Sequence, residues 1–328
     1  MIRPSVRFAS VAALVALSMP VIQTAAQTQV PAAPAAELSA PAPAAAPVFP
    51  KPDPANFTAS TPSKDVINAF LSASWGYEDN RIWQIQAIVK TPVDGITKVV
   101  VFVGDKTGKE KPQALEFFAL ADGKHIIAGD QIVAFGAQPY ADYRALMQAK
   151  ADGPYRGSAA KELLLVEFAD FQCPHCKEAQ ANMDKLVVDF PKARIVFEND
   201  PIPSIHPQSV TAASYGVCAA KLAGSTAFFQ FAAAVFDGQD GLATPDGAML
   251  TLNSALAKAG VDTAKVAACA ATSETKAAVD ASTKLASDLG ITTVPTLVIN
   301  GRQVPANAPY DTLKKIIEYQ IKLDGITN

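Results

Sequence analysis

A large excess of charge of one sign is missing from this sequence of 328 residues, which carries 28 lysine and arginine residues against 31 aspartate and glutamate residues, a net charge of −3. This near balance gives no indication of a nucleic-acid partner or of binding to an anionic membrane surface. Apolar runs of about 18 residues are also missing, so the sequence predicts no membrane-spanning helix. Only four cysteines and three histidines are present, which leaves few candidates for a reactive site.

The N-terminal part of the chain has the features of a targeting segment. Residues 1–26 combine an arginine-containing start with a short apolar region over residues 11–21 and small residues at the end, as signal peptides do. An uncleaved membrane anchor is the alternative. Residues 27–60 are rich in proline and alanine, which predicts a semi-extended tether without chemistry of its own.

Residues 61–150 are predicted to form a small α+β domain. Ser63 is positioned to cap a helix that has an apolar face over residues 66–71. Three or four antiparallel strands follow within residues 83–128, and a linking helix is expected over residues 140–150.

The stretch from Phe168 to Cys176 contains two cysteines separated by two residues. Apolar residues before it predict a buried strand and residues 175–190 predict a helix, so the cysteines lie where a strand leads into a helix. The N–H groups and partial positive charge of a helix N-terminus stabilise a thiolate, so Cys173, with an exposed sulfur, is expected to have a lowered pKa. Cys176, one turn further in and more buried, is suited to resolve a mixed disulfide.

The two residues between the cysteines fit this interpretation. Pro174 suits the first helical turn, where a missing N–H is tolerated, and His175 adds a positive charge when protonated. Half of a zinc site would need a second pair of ligands, but the other two cysteines are far away and isolated. A structural disulfide within one helical turn would be strained and easily reduced. Redox chemistry is therefore favoured, without a metal or an organic cofactor.

These residues carry a family resemblance. The stretch Val166-Glu167-Phe168, followed by Phe171-Gln172-Cys173-Pro174-His175-Cys176, resembles the DsbA-type periplasmic thiol:disulfide oxidoreductases of the thioredoxin superfamily. Residues 290–301, Gly-Ile-Thr-Thr-Val-Pro-Thr-Leu-Val-Ile-Asn-Gly, resemble the cis-proline turn and following strand of that family. The resemblance implies an α/β thioredoxin-like fold over residues 155–328, with an inserted helical domain at residues 206–289.

The resemblance also implies roles for three residues. A cis peptide bond before Pro295 would expose the backbone of Val294 beside the cysteines, where an extended client peptide can pair with it. Glu167 would lie beneath the active site and modulate proton transfer from Cys176. A carboxylate inside an apolar strand is expensive to bury unless it has a partner or a task.

The inserted domain is expected to contain five helices, at residues 209–223, 226–236, 249–259, 263–270 and 274–289, before strands at 296–300 and 302–304 and a closing helix at 310–323. Cys218 and Cys269 fall on two of the inserted helices and either pair together or stay free. Export favours a structural disulfide between them, which agrees with the second disulfide of some DsbA-like proteins. His206 is expected to have a structural role, and His125 to be an ordinary strand residue.

The sequence thus predicts an exported, periplasmic enzyme that introduces disulfides into exported proteins by thiol–disulfide exchange, and that a DsbB-like membrane oxidase re-oxidises. Residues 117–129 weakly resemble the N-terminal domains of dimeric disulfide isomerases. A disulfide isomerase or reductase that forms a homodimer through this domain is therefore the alternative. A client-binding chaperone without turnover is the alternative from a different class.

Overall fold

The structure is a computed structural model that describes residues 49–109 and 111–326. The predicted signal peptide and most of the predicted tether lie outside the described residues. The described part of the chain contains two sheets, each of five strands.

The first sheet, with one helix, forms the N-terminal module, defined here as residues 49–134. Helix α1 (Lys64–Trp75) begins at the predicted cap, where the Ser63 hydroxyl accepts a hydrogen bond from the Val66 N–H at 3.3 Å. Five antiparallel strands follow in sequential order: β1 (Arg81–Lys90), β2 (Thr97–Asp105), β3 (Gln113–Ala119), β4 (His125–Ala128) and β5 (Gln131–Ala134). Ile67 and Leu71 of α1 pack on the sheet. Strand β5 was not predicted, because its residues are mostly exposed and give no alternating pattern.

The last residues of the predicted tether differ from the expectation. The main chain at Phe57 bridges Ile88 of β1, and the Ile88 carbonyl accepts hydrogen bonds from the N–H groups of Thr58 and Ala59 at 3.0 and 3.1 Å. The Gln86 side chain also donates to the Pro50 carbonyl at 3.1 Å. Residues 50–59 therefore lie along the edge of the first sheet, because β1 offers them unpaired hydrogen-bonding groups.

The second sheet has the strand order β10-β9-β7-β8-β6. Its strands are β6 (Tyr155–Gly157), β7 (Leu164–Ala169), β8 (Arg194–Asn199), β9 (Thr296–Ile299) and β10 (Arg302–Pro305). Strands β7 and β8 are parallel and the other neighbours are antiparallel. Every residue of β7 is buried, because helices cover both faces of this central strand.

Seven further helices pack around this sheet or form the insert: α2 (Ala141–Lys150), α3 (Pro174–Asp189), α4 (Ser209–Asp237), α5 (Pro245–Lys258), α6 (Thr263–Ala270), α7 (Ser273–Asp288) and α8 (Tyr310–Leu323). Successive residues of β7 serve opposite faces of the sheet. Leu165 packs in the cluster formed with α3 and α8, whereas Leu164 and Val166 pack with Met147 of α2 and Leu285 of α7. Helix α2 is thus part of the core around the second sheet, and it also connects the N-terminal module to that sheet.

The insert consists of α4 to α7, and the expected helices are present. Helix α4 is bent at Gly224, whose φ of 82° and ψ of 179° are not helical, and this bend separates the two helices expected there. Glycine adopts a positive φ without a steric penalty. In the described part of the chain α4 is long and apolar enough to cross a membrane by length and composition. Its Phe228 and Phe231 are fully buried in the protein core, and buried core helices share that composition. The described residues thus have the expected α/β architecture with a helical insert.

A buried arginine joins the N-terminal module to the second sheet. Arg302 of β10 is 4% exposed. Its guanidinium donates hydrogen bonds to the carbonyls of Ala73 and Ser74, the latter at 2.9 Å, and it lies 4.3 Å from the centre of the Tyr140 ring. These carbonyls belong to the last turn of α1, where the helix dipole is negative. Arg302 of β10 therefore caps the C-terminus of α1.

Candidate functional site

The cysteine pair lies at the junction of β7 and α3, as predicted. Cys173 is the N-cap residue of α3, with extended backbone angles, and Pro174 occupies the first turn. The Cys173 N–H donates to the Asp170 carbonyl at 3.0 Å, and the Cys176 N–H donates to the Cys173 carbonyl at 3.0 Å. These main-chain hydrogen bonds place Cys173 at the start of the helix and Cys176 one turn further in.

Both cysteines are reduced and buried, with exposed fractions of 6% for Cys173 and 0% for Cys176. The expectation of an exposed Cys173 sulfur is wrong. The Cys173 Sγ lies 3.8 Å from the Val294 carbonyl oxygen, and Cys173 packs within the aromatic cluster of the insert. The loop before β9 and the insert therefore cover the thiol.

The two thiols differ in acidity. The pKa of Cys173 is lowered from 9.0 to about 6, chiefly by a hydrogen bond from the Cys176 thiol, with further contributions from the main-chain N–H groups of Cys176 and His175 and from the charge of His206. Burial opposes this shift. Burial is also the main cause that raises the pKa of Cys176, although the Asp170 N–H lies 3.4 Å from its sulfur. The site therefore favours a Cys173 thiolate beside a Cys176 thiol.

Glu167 lies within buried strand β7 and is 2% exposed. Its carboxylate accepts a hydrogen bond from the Gln180 side chain at 2.8 Å, and the same amide group donates to the Cys176 carbonyl at 3.0 Å. Burial raises the pKa of Glu167 from 4.5 to about 7, against the lowering effect of the Gln180 hydrogen bond. The pKa of Glu167 thus lies near neutral pH, and the Gln180 side chain links its carboxylate to the main chain of Cys176.

The imidazole of His175 is turned toward Glu178. Its Nδ1 lies 2.9 Å from the Glu178 Oε2, its side chain is 66% exposed, and this carboxylate is the main cause that raises its pKa. The main-chain N–H of His175 donates a hydrogen bond that helps to lower the pKa of Cys173, and the charge of Cys173 in turn helps to raise the pKa of His175. The sequence indicated a positive charge beside the thiol but not the competing carboxylate one turn along the helix.

Asp170 is a central residue of the site that the sequence interpretation missed. It is 1% exposed, and its carboxylate accepts hydrogen bonds from the Gln172 N–H at 2.7 Å, the Ile202 N–H at 2.8 Å and the His206 Nδ1 at 2.8 Å. The signal that pointed to Glu167, an acidic side chain in an apolar stretch, was equally present at Asp170. His206 was expected to be structural, and this contact brings it to the site.

Gln239 is a second residue that the sequence did not single out. It lies in a short 3₁₀ helix of the insert (Gln239–Ala243), and its amide donates to the carbonyls of Phe171 and Cys173 at 2.8 and 3.0 Å. In the opposite direction, the Gln172 side chain donates to the Leu242 carbonyl at 3.0 Å. The insert therefore fixes the backbone of the loop that carries Cys173.

The Val294–Pro295 peptide bond is cis, as the resemblance implied. The Pro295 carbonyl accepts a hydrogen bond from the Ala306 N–H at 3.1 Å, which ties the turn to the chain after β10. The backbone of Val294 consequently lies against Cys173, with the carbonyl contact described above.

Cys218 and Cys269 form a disulfide between α4 and α6, with an S–S distance of 2.04 Å and a Cα–Cα distance of 5.9 Å. His125 lies in the N-terminal module, where its Nδ1 is 2.6 Å from the Asp122 Oδ2. Within residues 49–109 and 111–326, no group of three or more histidine, cysteine, aspartate or glutamate side chains is arranged to hold a metal ion.

A protein-family model described as Thioredoxin matches residues 150–319, just over half of the chain. The chain belongs to this thioredoxin family. The expected membership of the thioredoxin superfamily is therefore confirmed over the matched residues.

Two solved structures are similar to part of this chain. A thioredoxin-like oxidoreductase from Silicibacter pomeroyi is 26% identical, and the comparison covers 55% of this chain and 98% of that chain with a TM-score of 0.47. The thiol-disulfide exchange protein alpha-DsbA2 from Wolbachia pipientis is 20% identical, with coverage of 57% and 96% and a TM-score of 0.46. Among curated proteins, the Na(+)/H(+) antiporter NhaA 3 of Salinispora tropica is 35% identical over 66 residues, which are 20% of this chain and 10% of the antiporter. The chain therefore spans about a tenth of the length of the curated relatives it matches.

Proposed function

We propose that this thioredoxin-family enzyme is a thiol:disulfide oxidase that introduces disulfides into exported proteins through Cys173 and Cys176. The observation that carries the proposal is the unequal acidity of the two thiols, with the pKa of Cys173 lowered to about 6 and that of Cys176 raised. A stabilised thiolate favours the reduced form of the pair. Its disulfide form is then comparatively unstable and oxidises other thiols.

The exchange proceeds in two steps. A client thiolate attacks the Cys173 sulfur of the oxidised pair, a mixed disulfide forms, and the Cys176 thiolate leaves. A second client thiolate then attacks the client sulfur of the mixed disulfide, and Cys173 leaves as a thiolate. Two electrons pass from the two client thiols to the cysteine pair. The low pKa of Cys173 favours the second step, because a more acidic thiol is a better leaving group.

Glu167 is suited to supply the proton that Cys176 takes up when it leaves as a thiolate. With a pKa of about 7, its carboxyl group is partly protonated near neutral pH, where a general acid is most effective. The Gln180 side chain, which contacts both residues, fixes the relative positions of Glu167 and Cys176.

Val294 and Pro295 are proposed to bind the client. An extended peptide can pair with the main chain of Val294 by strand addition, and the 3.8 Å contact between the Val294 carbonyl and the Cys173 sulfur places this edge beside the reactive atom. A client cysteine in such a strand would meet Cys173 directly.

The cellular setting is part of the proposal. A periplasmic location is supported by the signal-like features of residues 1–26 and by the Cys218–Cys269 disulfide, which persists in an oxidising compartment. In that compartment a DsbB-like membrane oxidase would re-oxidise the pair. A homodimer through the N-terminal module belongs to the runner-up function, disulfide isomerisation or reduction.

The test uses two serine variants and a peptide with two cysteines. The oxidised enzyme should form the peptide disulfide, and Cys173→Ser should abolish the reaction. Reduced Cys176→Ser, mixed with the disulfide form of the peptide, should instead accumulate a mixed disulfide, because the Cys173 thiolate attacks the peptide disulfide, one peptide thiolate leaves, and Cys176 is not there to resolve the product. Retention of full client protection by Cys173→Ser would favour a chaperone, and an equilibrium potential with glutathione near the thioredoxin value of about −270 mV would favour a reductase.

A further inference from the structure

The side chain of Gln239 reaches from the insert into the loop that carries the reactive cysteine. Its amide nitrogen donates one hydrogen bond to the Phe171 carbonyl at 2.8 Å and one to the Cys173 carbonyl at 3.0 Å. A glutamine amide has two N–H donors, so both of them are used on this loop. Gln239 is 9% exposed, and buried hydrogen bonds are costly to lose. The contact therefore belongs to the interior of the site.

The segment that carries Gln239 is itself held in place. It is the 3₁₀ helix Gln239–Ala243, which lies between α4 and α5 in the chain. The packing is so close that a Cβ atom added at Gly241 would overlap the hydroxyl group of Thr251 in α5. A second connection runs in the opposite direction, since the Gln172 amide donates to the Leu242 carbonyl at 3.0 Å. The Gln239 amide is thus presented to the loop from a closely packed part of the insert.

The Cys173 carbonyl that Gln239 binds is also the first acceptor of α3. It accepts hydrogen bonds from the N–H groups of Cys176 and Lys177 at 3.0 and 3.3 Å, so its direction is tied to the first turn of the helix. N–H groups at the start of a helix stabilise a thiolate. The pKa of Cys173 is lowered by the hydrogen bond from the Cys176 thiol and by the main-chain N–H groups of Cys176 and His175. All of these donors belong to the turn whose first carbonyl Gln239 holds.

We propose that Gln239 is a positioning residue that holds the first turn of α3 so that its donors face the Cys173 sulfur, an inference that rests on the proposed thiol–disulfide exchange. It makes the insert responsible for the reactivity of a cysteine 66 positions away in the chain. Without the Gln239 amide, the Cys173 carbonyl keeps only its helical donors, and the turn relaxes from the geometry that favours the thiolate. Because a glutamine side chain carries no charge, its effect on Cys173 is one of geometry.

The test compares Gln239→Leu with the wild type. Leucine has no donor, so the change removes both hydrogen bonds without adding a charge. The Cys173 midpoint, measured in the reduced protein from the rate of alkylation by iodoacetamide against pH, should rise by about 1 pH unit, the size expected for the loss of one hydrogen bond to a charged group. From a wild-type pKa of about 6, this change should shift the equilibrium of the cysteine pair with glutathione by about fivefold toward the disulfide form at about pH 7.

Gln148→Leu is the matched control. The amide of Gln148 in α2 also donates to a main-chain carbonyl, that of Lys161 at 3.1 Å. Lys161 lies before β7, whereas Cys173 lies after it, so the control removes the same kind of contact at the other end of the strand. It should leave the Cys173 midpoint unchanged. A wild-type midpoint in Gln239→Leu, or an equal shift in both variants, would overturn the proposal.

The wild-type protein provides a second test that does not depend on the folding of a variant. The side-chain amide hydrogens of Gln239, assigned by NMR, should exchange with solvent at least about tenfold more slowly than those of Gln131, which is exposed. Equal exchange rates would contradict the proposal. Failure of this inference is distinct from failure of the proposed function, because the wild type would still oxidise the two-cysteine peptide in the first case and would not in the second.

Discussion

Replacing Glu167 by glutamine should make the protein more stable at neutral and alkaline pH while slowing its exchange reaction. The substitution preserves the shape of a side chain that is 2% exposed. The glutamine oxygen can still accept the hydrogen bond that Gln180 donates to Glu167. The change therefore removes the ionisable proton and little else.

The magnitude follows from the shift in pKa. The carboxyl group of Glu167 titrates at about 7 in the folded protein against an ordinary value of 4.5. Each unit corresponds to about 1.4 kcal/mol, so the full effect is about 3 kcal/mol. Because the folded pKa is the higher one, the unfolded chain loses its proton first, and stability falls as the pH rises from the lower value through the higher one. The destabilisation is absent in acid and complete above neutral pH.

Chemical denaturation of the oxidised proteins measures this effect without interference from thiolate titration. At about pH 4 the wild type and Glu167→Gln should have similar free energies of unfolding, whereas at about pH 8 the variant should be more stable by about 3 kcal/mol. Glu162→Gln is the control, because Glu162 lies just before β7 and is exposed. Its effect should stay within about 0.5 kcal/mol at both pH values.

A stability difference between the wild type and Glu167→Gln that is the same at both pH values would refute this reasoning. The proposed proton transfer has its own criterion. If Glu167→Gln exchanges disulfides with a client peptide as fast as the wild type does, and its thiol pKa values are unchanged, Glu167 does not supply the proton to Cys176.

Three further perturbations test other parts of the structure. The reduced wild type should gain stability relative to Cys173→Ser as the pH rises through about 6, because the folded pKa of Cys173 lies below its ordinary value of 9.0. This gain in the free energy of unfolding is lost as the pH falls through the folded pKa. Chemical denaturation at a series of pH values measures it. Arg302→Met should lower the free energy of unfolding by about 2 to 4 kcal/mol, because buried acceptors lose their donor, and should speed proteolysis of the N-terminal module. Replacing Cys218 and Cys269 together by alanine should lower the free energy of unfolding by about 4 kcal/mol, the loop-closure value for a sequence separation of 51, with the reactivity of Cys173 unchanged.

Each of these expectations has a contrary result. A pH-independent difference between the reduced wild type and Cys173→Ser would mean that the Cys173 pKa is not lowered. Unchanged stability in Arg302→Met would show that the contacts to α1 are energetically neutral. Altered thiol reactivity in the double alanine variant would give the Cys218–Cys269 disulfide a role beyond stability.

The elements with strong local signals could be predicted from the sequence. Helix α8 spans the predicted residues 310–323, because its apolar residues recur at helical spacing, and α6 begins after a capping aspartate, Asp262. The cysteine pair at the start of α3 was equally clear, since its position depends only on neighbouring residues. Strands β5 and β6 were missed because they are short and mostly not buried.

The supporting residues of the site could not be predicted in the same way. The contact of Asp170 with His206 spans 36 positions in the chain, and that of Gln239 with Cys173 spans 66. Local patterns carry no information about such pairs, because the fold alone brings them together. The burial of Cys173 was mispredicted for the same reason, since the loop at Val294 that covers it is distant in the sequence.

Arg302 of β10, which contacts the C-terminus of α1, limits where this polypeptide can be truncated. The family match begins at residue 150, which invites expression of the thioredoxin domain as an isolated fragment. Such a fragment would expose Arg302 together with the surface that now receives Ala73 and Ser74, and would remove the acceptors that compensate its charge. The residue at which the family match begins is therefore a poor choice of truncation point, and we expect a fragment that lacks the N-terminal module to be less stable than the full chain.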